Sequence, residues 1–387
     1  MYDLEKEFLL NPEINFLNFG SFGACPKPIF DNYQYWQRLL EYQPVEFLND
    51  VAQVKLEQSR AELGQFIGCH KNDLVYVSNP SYAVNLVVKS LNLKKNDEVL
   101  TTNLEYGACD KTWQFYAKKY GFTYVNKPIQ LPIISKEQFI EDFFKGLTPQ
   151  TKIIFLSAIT SMTALILPYK EICQKAKEKG LLIFIDGAHL PGHVNFNLNE
   201  FPCDFFTGAC HKWLMTPKGS SFLYAHKDVQ PLLEPLVVSW GYDSTETCGS
   251  LFLDYHEWQG TRDISTFLTI PEAIRFREKN QWNKISDDCR QLVLEYAPIF
   301  CDLFKTKPIS PLTTEFIGQM FSIPIFTSEP LKLKKYLLEK YKIEIPVMVH
   351  STHTYLRYSI NGFNNRTNLN DLFKALVEIK KDTTYLN

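Results

Sequence analysis

No charge of one sign dominates this chain: across 387 residues the formal net charge is −2. Without a basic stripe or an acidic block, electrostatics give no reason to expect nucleic acid or a membrane surface as partner. Long hydrophobic runs are missing too. Stretches such as Leu236-Val237-Val238 are strand-sized, far short of the roughly 20 apolar residues of a bilayer-spanning helix. Nine cysteines occur but no Cys-x-x-Cys pair, which removes the usual spacing for zinc or a thioredoxin-like redox centre. An odd, scattered set fits free thiols in a reducing compartment. Met1-Tyr2-Asp3-Leu4-Glu5-Lys6-Glu7 is acidic where a secretory leader would be basic. The expectation is a soluble, cytoplasmic protein with no metal, nucleic-acid or membrane partner. Internal repeats and low-complexity tracts are absent as well.

The chain does carry the means to build a core: 45% of it is hydrophobic, and its length suffices for two domains. From Leu74 to His226 strand-like and helix-like stretches alternate. Leu74-Val75-Tyr76-Val77-Ser78 reads as a strand, followed by a helix with Val84, Val87, Val88 and Leu91 at i, i+3, i+4 and i+7. Further strands are expected at Asp97–Thr101, Phe122–Val125, Lys152–Leu156, Leu181–Ile185, Asp204–Thr207 and Ser221–Ala225, with helices at Gly107–Tyr120 and Tyr169–Lys179. The nearly all-apolar runs Lys152–Leu156 and Leu181–Ile185 suit central strands buried on both faces. Such alternation argues for an α/β protein with a mostly parallel sheet, whose ligands sit beyond the carboxyl ends of the strands. After Pro271 a charged helical stretch, Glu272–Arg290, leads into a second, smaller αβ region with strand-like Leu356-Arg357-Tyr358-Ser359-Ile360.

Two residues fall directly after their strands: Asp186, closing Leu181-Leu182-Ile183-Phe184-Ile185, and Lys212, in Thr207-Gly208-Ala209-Cys210-His211-Lys212-Trp213. One strand that delivers a carboxylate and another that delivers a lysine are what a pyridoxal phosphate (PLP) site requires. The lysine forms the Schiff base, and the carboxylate keeps the pyridine nitrogen protonated so that the ring withdraws electrons. A carboxylate at the end of an apolar strand is costly without a partner, and the alternative role for Asp186 is to cap the segment that follows it. His189 has the spacing either to bond the phenolic oxygen of such a cofactor or simply to occupy a turn. His211 would sit at the cofactor phosphate or brace the pocket wall. Asn79-Pro80-Ser81-Tyr82 opens a helix whose N-terminal N–H groups and Ser81 hydroxyl can hold an anion, or merely cap the helix. Tyr106 is placed to stack on the ring or to fill core. Arg357 offers the fork that matches a substrate carboxylate, or a structural ion pair. Gln259-Gly260-Thr261-Arg262-Asp263 is a polar turn able to reach a phosphate, including that of a neighbouring subunit.

Together these segments resemble the class V aminotransferases, a group of fold-type I PLP enzymes, and within it the isopenicillin N epimerase-like branch. The likeness runs through Leu17–Pro26, Asn79–Ser90, Glu105–Trp113, Asp186-Gly187-Ala188-His189, Cys203–Gly219, Glu234–Gly241, Glu257–Asp263 and Arg357. The resemblance implies an aspartate aminotransferase-like fold: a large domain over residues 15–270, with a mostly parallel seven-stranded sheet between helices, and a small C-terminal α/β domain over 271–387 on which residues 1–14 pack. It implies Lys212, Asp186 and Tyr106 as catalytic residues. Ser81, Tyr82 (through its backbone), Tyr106, Asp186, His189, His211, Lys212 and Thr261 would bind the cofactor, and Arg357 the substrate. Thr261 would come from a partner subunit in a homodimer with shared sites, and the glycine loop Asn18–Ala24 would lie over the substrate. No metal is implied. The reaction is expected at the Cα of an amino acid, as epimerisation or transamination, with C–S lysis of a sulfur-containing amino acid as the alternative and a non-catalytic PLP-binding regulator as a reading from another class. Epimerisation needs a second acid on the far face of the substrate, for which Tyr106 and His256 are the candidates. Ile345–Tyr355 holds no cysteine, which argues against the persulfide route of cysteine desulfurases. Cys109 and Cys210 are read as packing residues.

Overall fold

A computed structural model of the chain describes residues 4–381, 385 and 386. Strand β1 (Asn15–Phe16) precedes the main sheet, whose strands in chain order are β2 (Leu74–Val77), β3 (Glu98–Thr102), β4 (Thr123–Lys127), β5 (Thr151–Ser157), β6 (Leu182–Asp186), β7 (Phe205–Ala209) and β8 (Ser221–Ala225). They assemble in the order β2-β8-β7-β6-β5-β3-β4. Only β8 runs against its neighbours, so the sheet is mostly parallel.

Side chains alternate across the pleat, and here both faces are buried. Val75, Val77, Ile153, Phe155, Phe184 and Phe205 enter one core. Tyr76, Ile154, Leu156, Ile183, Ile185 and Phe206 enter the other. The first face is covered by helices Pro80–Ser90 and Gly107–Tyr120, through residues such as Val84, Val87, Trp113 and Tyr116. Helices Tyr169–Glu178 and Ala52–Ile67 close the second. Gly121, in the left-handed region at φ 85°, ends the Gly107–Tyr120 helix.

Three antiparallel strands form a second sheet in the order β11-β12-β9, from β9 (Met320–Ile325), β11 (Val347–His350) and β12 (His353–Ser359). The short β10 (Ile343–Glu344) pairs in parallel with β1. Phe8 packs its ring on Phe363 and Trp282, so the N-terminal residues lie on the C-terminal part of the chain.

Two expectations differ in detail. The stretch Glu272–Arg290 is not one helix but parts of two, Ile270–Lys279 and Trp282–Phe304, parted at Asn280–Gln281, where Gln281 takes φ 50°. The glycine loop Asn18–Ala24 contains a helical turn, Phe19–Phe22, before Gly23 turns the chain at φ 65°. A Cβ on Gly23 would lie 2.3 Å from the His211 carbonyl oxygen and 2.7 Å from that of Lys212. Only glycine lets the two segments meet so closely.

Candidate active site

Register brings the chemistry together. Ser157, Asp186 and Thr207 are aligned partners at or near the carboxyl ends of β5, β6 and β7. Beyond that edge lies a cavity of about 500 Å³ whose walls include Ser81, Tyr106, Asp186, His189, His211, Lys212 and Arg357. A larger cavity, about 710 Å³ between Phe66, Val194, Arg277 and Trp282, contains none of these seven. Chemistry and not size selects the smaller one.

Lys212 follows β7 in a turn tied back by Cys210 and His211, whose backbone N–H groups both donate to the Ser220 carbonyl. Its ammonium is desolvated, which pulls its pKa down to about 8, although the Asp186 charge acts the other way. Lys212 Nζ lies 3.1 Å from His189 Nε2. Asp186 is buried, and that burial raises its pKa, opposed by the Ala188 N–H and by Lys212. Oδ1 accepts from Ala188 N at 2.9 Å, so the capping role is realised. Oδ2 receives only the Cys109 thiol, at 3.5 Å. A strong donor at Oδ2, such as a pyridinium N–H, would relieve the burial cost.

Arg357 is wholly buried in β12 and has no carboxylate partner among the described residues. Nη1 donates to the Ser161 carbonyl, Nη2 donates to Ser21 Oγ at 2.9 Å, and Nε has no partner. Burial alone pulls its pKa down, to about 10. Among the described residues, Arg357 therefore forms no structural ion pair. Tyr106 is 47% exposed and so is not core filler. It caps the Gly107–Tyr120 helix and leaves its ring on the cavity wall.

At the mouth of the Pro80–Ser90 helix, Asn79 is the N-cap and Ser81 stands on the cavity wall. The Tyr82 N–H, expected to face a phosphate, is spent on Asn79 Oδ1 at 2.9 Å. That is the ordinary capping bond. His211 lines the cavity, its Nδ1–H donating to the Ser220 carbonyl at 3.0 Å, and burial lowers its pKa to about 4.

Thr261 is not brought to this cavity. It is exposed and borders a separate hollow of about 250 Å³ with Trp240, Trp258 and Arg262. His256 does not reach the site either: it is buried against Phe252 beneath its own helix, Leu251–Glu257. It is therefore no candidate for a second acid.

Several residues of the site escaped the reading of the sequence. Ser161 and Met348 line the cavity from segments remote in the chain, whereas Ser21 and Phe22, which also line it, belong to the glycine loop Asn18–Ala24 expected over the substrate. Glu105 lies behind the wall, accepting from Ser157 N at 2.8 Å and Ser157 Oγ at 2.5 Å. The only available signal for Glu105 was a carboxylate just after the strand Glu98–Thr102.

Comparison with known proteins identifies the family. The family described as Aminotransferase class-V matches residues 43–371. An isopenicillin N epimerase of Amycolatopsis lactamdurans is 30% identical over 97% of this chain and 98% of its own length. A protein of Arabidopsis thaliana described as a probable chloroplastic L-cysteine desulfhydrase is 26% identical over 98% of this chain and 86% of its own. Among solved structures, the apo cysteine desulfurase of Thermococcus onnurineus NA1 superposes with a TM-score of 0.84 at 20% identity, covering 98% of each chain. The sheet order, the paired Asp186 and Lys212 beyond its edge and the match over most of the chain lead to one conclusion: this chain belongs to the aminotransferase class-V family of PLP-dependent enzymes.

Proposed function

We propose that the chain acts at the Cα of an amino acid held by its carboxylate on Arg357, with Lys212 as the base that takes the Cα proton. The observation that carries this is Arg357: a buried guanidinium without a counter-ion, opening on the same cavity as the Lys212 amine. Such a group is costly to keep unless an anion joins it, and a carboxylate fits its fork.

Lys212 would hold PLP, with Asp186 at the pyridine nitrogen, His189 at the phenolic oxygen, Tyr106 on the ring, and Ser81 and His211 toward the phosphate. The cofactor supplies an electron-withdrawing ring that spreads the charge left at Cα. The chain does the rest. Asp186 keeps a negative charge beneath the site, Arg357 orients the substrate, and the low pKa of Lys212 lets it carry a proton near neutrality. Ser21 ties the N-terminal turn to Arg357, which helps exclude water from the carboxylate site.

Thr261 would serve a partner's site. Its neighbour Trp240 is 85% exposed, an apolar surface suited to a second copy of the chain. A strictly monomeric, fully active protein in sedimentation would sink this part of the reading. The division into residues 15–270 and 271–387, with 1–14 on the latter, belongs to the same proposal, as does a cytoplasmic location. Among the described residues, no helix is long and apolar enough to cross a membrane.

Epimerisation, the activity named for the Amycolatopsis relative, is the first reading. C–S lysis, as in the name of the Arabidopsis relative, is the second. One observation favours the second: of the two candidates for a second acid, His256 lies away from the cavity and only Tyr106 stands on its wall. Elimination needs no second acid. Proton NMR of the PLP-loaded protein in D2O with amino acids and cysteine conjugates separates them. Deuterium at Cα with the opposite stereoisomer means epimerisation, a keto acid without inversion means transamination, and pyruvate with a released thiol means lysis. No exchange at Cα with any of them would refute the proposal.

A further inference from the structure

His189 has both ring nitrogens in hydrogen-bond contact and is only 3% exposed to solvent. Trp213 Nε1 lies 3.1 Å from Nδ1, and Lys212 Nζ lies 3.1 Å from Nε2. An indole N–H can only donate. Nδ1 must therefore accept and carries no proton, and a neutral imidazole then has its proton on Nε2. Burial keeps the ring neutral, pushing its pKa well below the ordinary value. An Nε2–H needs an acceptor, and an ammonium has no lone pair to offer. The Trp213 bond and a Lys212 ammonium donating to Nε2 therefore exclude each other.

Trp213 is held from several sides. The His193 ring stacks on it at 3.9 Å and 17°, and Phe19 packs at 4.9 Å. Its carbonyl accepts from Arg277 Nη1 at 3.2 Å. The same donor logic fixes His193. The Gln319 backbone N–H donates to its Nε2 at 2.7 Å, so Nδ1 carries the proton and donates to the His189 carbonyl at 3.1 Å. The His193 ring in turn sits against Gly318, where a Cβ would come within 2.4 Å of Nε2. Each of the two rings thus has only one consistent set of protons, and His193 holds Trp213 by stacking and His189 by its backbone carbonyl.

We propose that Trp213 is a positioning residue that fixes His189 as the Nε2–H tautomer and so presents Lys212 as a free amine, ready to join the cofactor carbonyl. His193 braces both partners. The inference rests on the PLP reading for its purpose but not for its geometry.

The test is two-bond proton–nitrogen correlation NMR on the full chain labelled with nitrogen-15 at histidine, without cofactor, using His189→Gln to assign the signal. Wild type should show His189 protonated at Nε2 only, and Trp213→Phe should shift a substantial share to Nδ1–H. A second readout is the pH midpoint at which the cofactor-free chain combines with added PLP, followed by visible absorbance. In Trp213→Phe the imidazole is free to accept from an ammonium, so the midpoint should rise by about one unit, a tenfold slower combination below it. Asp186, Cys109 and Arg357, which also face Lys212, and His193 and His211, which face His189, are the same in both proteins. A wild-type His189 protonated at Nδ1, or an unchanged tautomer in Trp213→Phe, overturns the proposal. If that variant does not fold, the wild-type spectrum alone decides. Failure of the wild type to bind PLP would defeat the functional reading while leaving the tautomer measurement to stand by itself.

Discussion

Replacing Glu105 by Gln should change how stability depends on pH. Glu105 is 1% exposed, one residue before Tyr106. Its Oε2 accepts the two Ser157 donors and its Oε1 accepts from Thr102 Oγ1 at 2.6 Å. Those bonds favour the carboxylate, but loss of solvent outweighs them and, with the Asp186 charge, lifts its pKa to about 7. In the unfolded chain it returns to about 4.5. Between these values the unfolded state sheds a proton that the folded state keeps. The stability that the neutral acid contributes is complete below pH 4.5 and is lost as pH rises through 7. One pKa unit corresponds to about 1.4 kcal/mol, so the loss is on the order of 3 kcal/mol.

An amide at this position would have no charge to lose in either state. Against wild type, Glu105→Gln should gain on the order of 3 kcal/mol between about pH 4.5 and about pH 7.5. At the acid end the two should differ only by the altered hydrogen bonds, about 1 kcal/mol. The buried histidines His189, His193, His211 and His256, all held neutral by burial, titrate in both proteins and cancel in the difference. Urea unfolding of both proteins in half-unit steps from about pH 4.5 to about pH 8 measures it. Parallel stability curves would refute the reasoning, because they would mean that the three hydrogen bonds hold Glu105 ionised in the fold.

Lys212→Ala should abolish the visible band of lysine-linked PLP, and an unchanged absorption spectrum would show that another residue holds the cofactor. Arg357→Lys keeps the charge but loses the fork; KM for the amino acid should rise about 10- to 100-fold with a smaller fall in kcat, as steady-state kinetics will report. Gly23→Ala forces a side chain into the left-handed region and against the Lys212 backbone. It should cost about 1–3 kcal/mol, visible as a fall of several degrees in Tm, and an unchanged Tm would mean that the N-terminal turn does not press on Lys212.

What the sequence disclosed, and what it hid, follows from the range of the interactions involved. The central strands β5 and β6 announce themselves because each is a largely apolar run, and the Gly107–Tyr120 helix because Gly121 stops it. Asp186 and Lys212 were legible for the same local reason: a charged group directly after a buried strand has few other uses. Nothing local marks the break at Gln281, which has neither Gly nor Pro beside it and is forced to φ 50° by the helices it joins. Arg357 illustrates the long-range case. The residue was legible as a carboxylate fork, but its contacts with Ser21 and Ser161 span 336 and 196 positions, so no spacing rule could find them. The residues behind the site are harder still. Cys109 looks in the sequence like a packing residue, yet its thiol is 3.5 Å from Asp186, and Trp213 next to Lys212 looks like one more apolar residue although its N–H ends on His189. A polar atom that tunes a catalytic group looks, in the sequence, like the apolar body that carries it. His189 and His193, four positions apart, are the exception: two imidazoles in a mostly apolar segment must spend four ring nitrogens somewhere, and the structure accounts for all four.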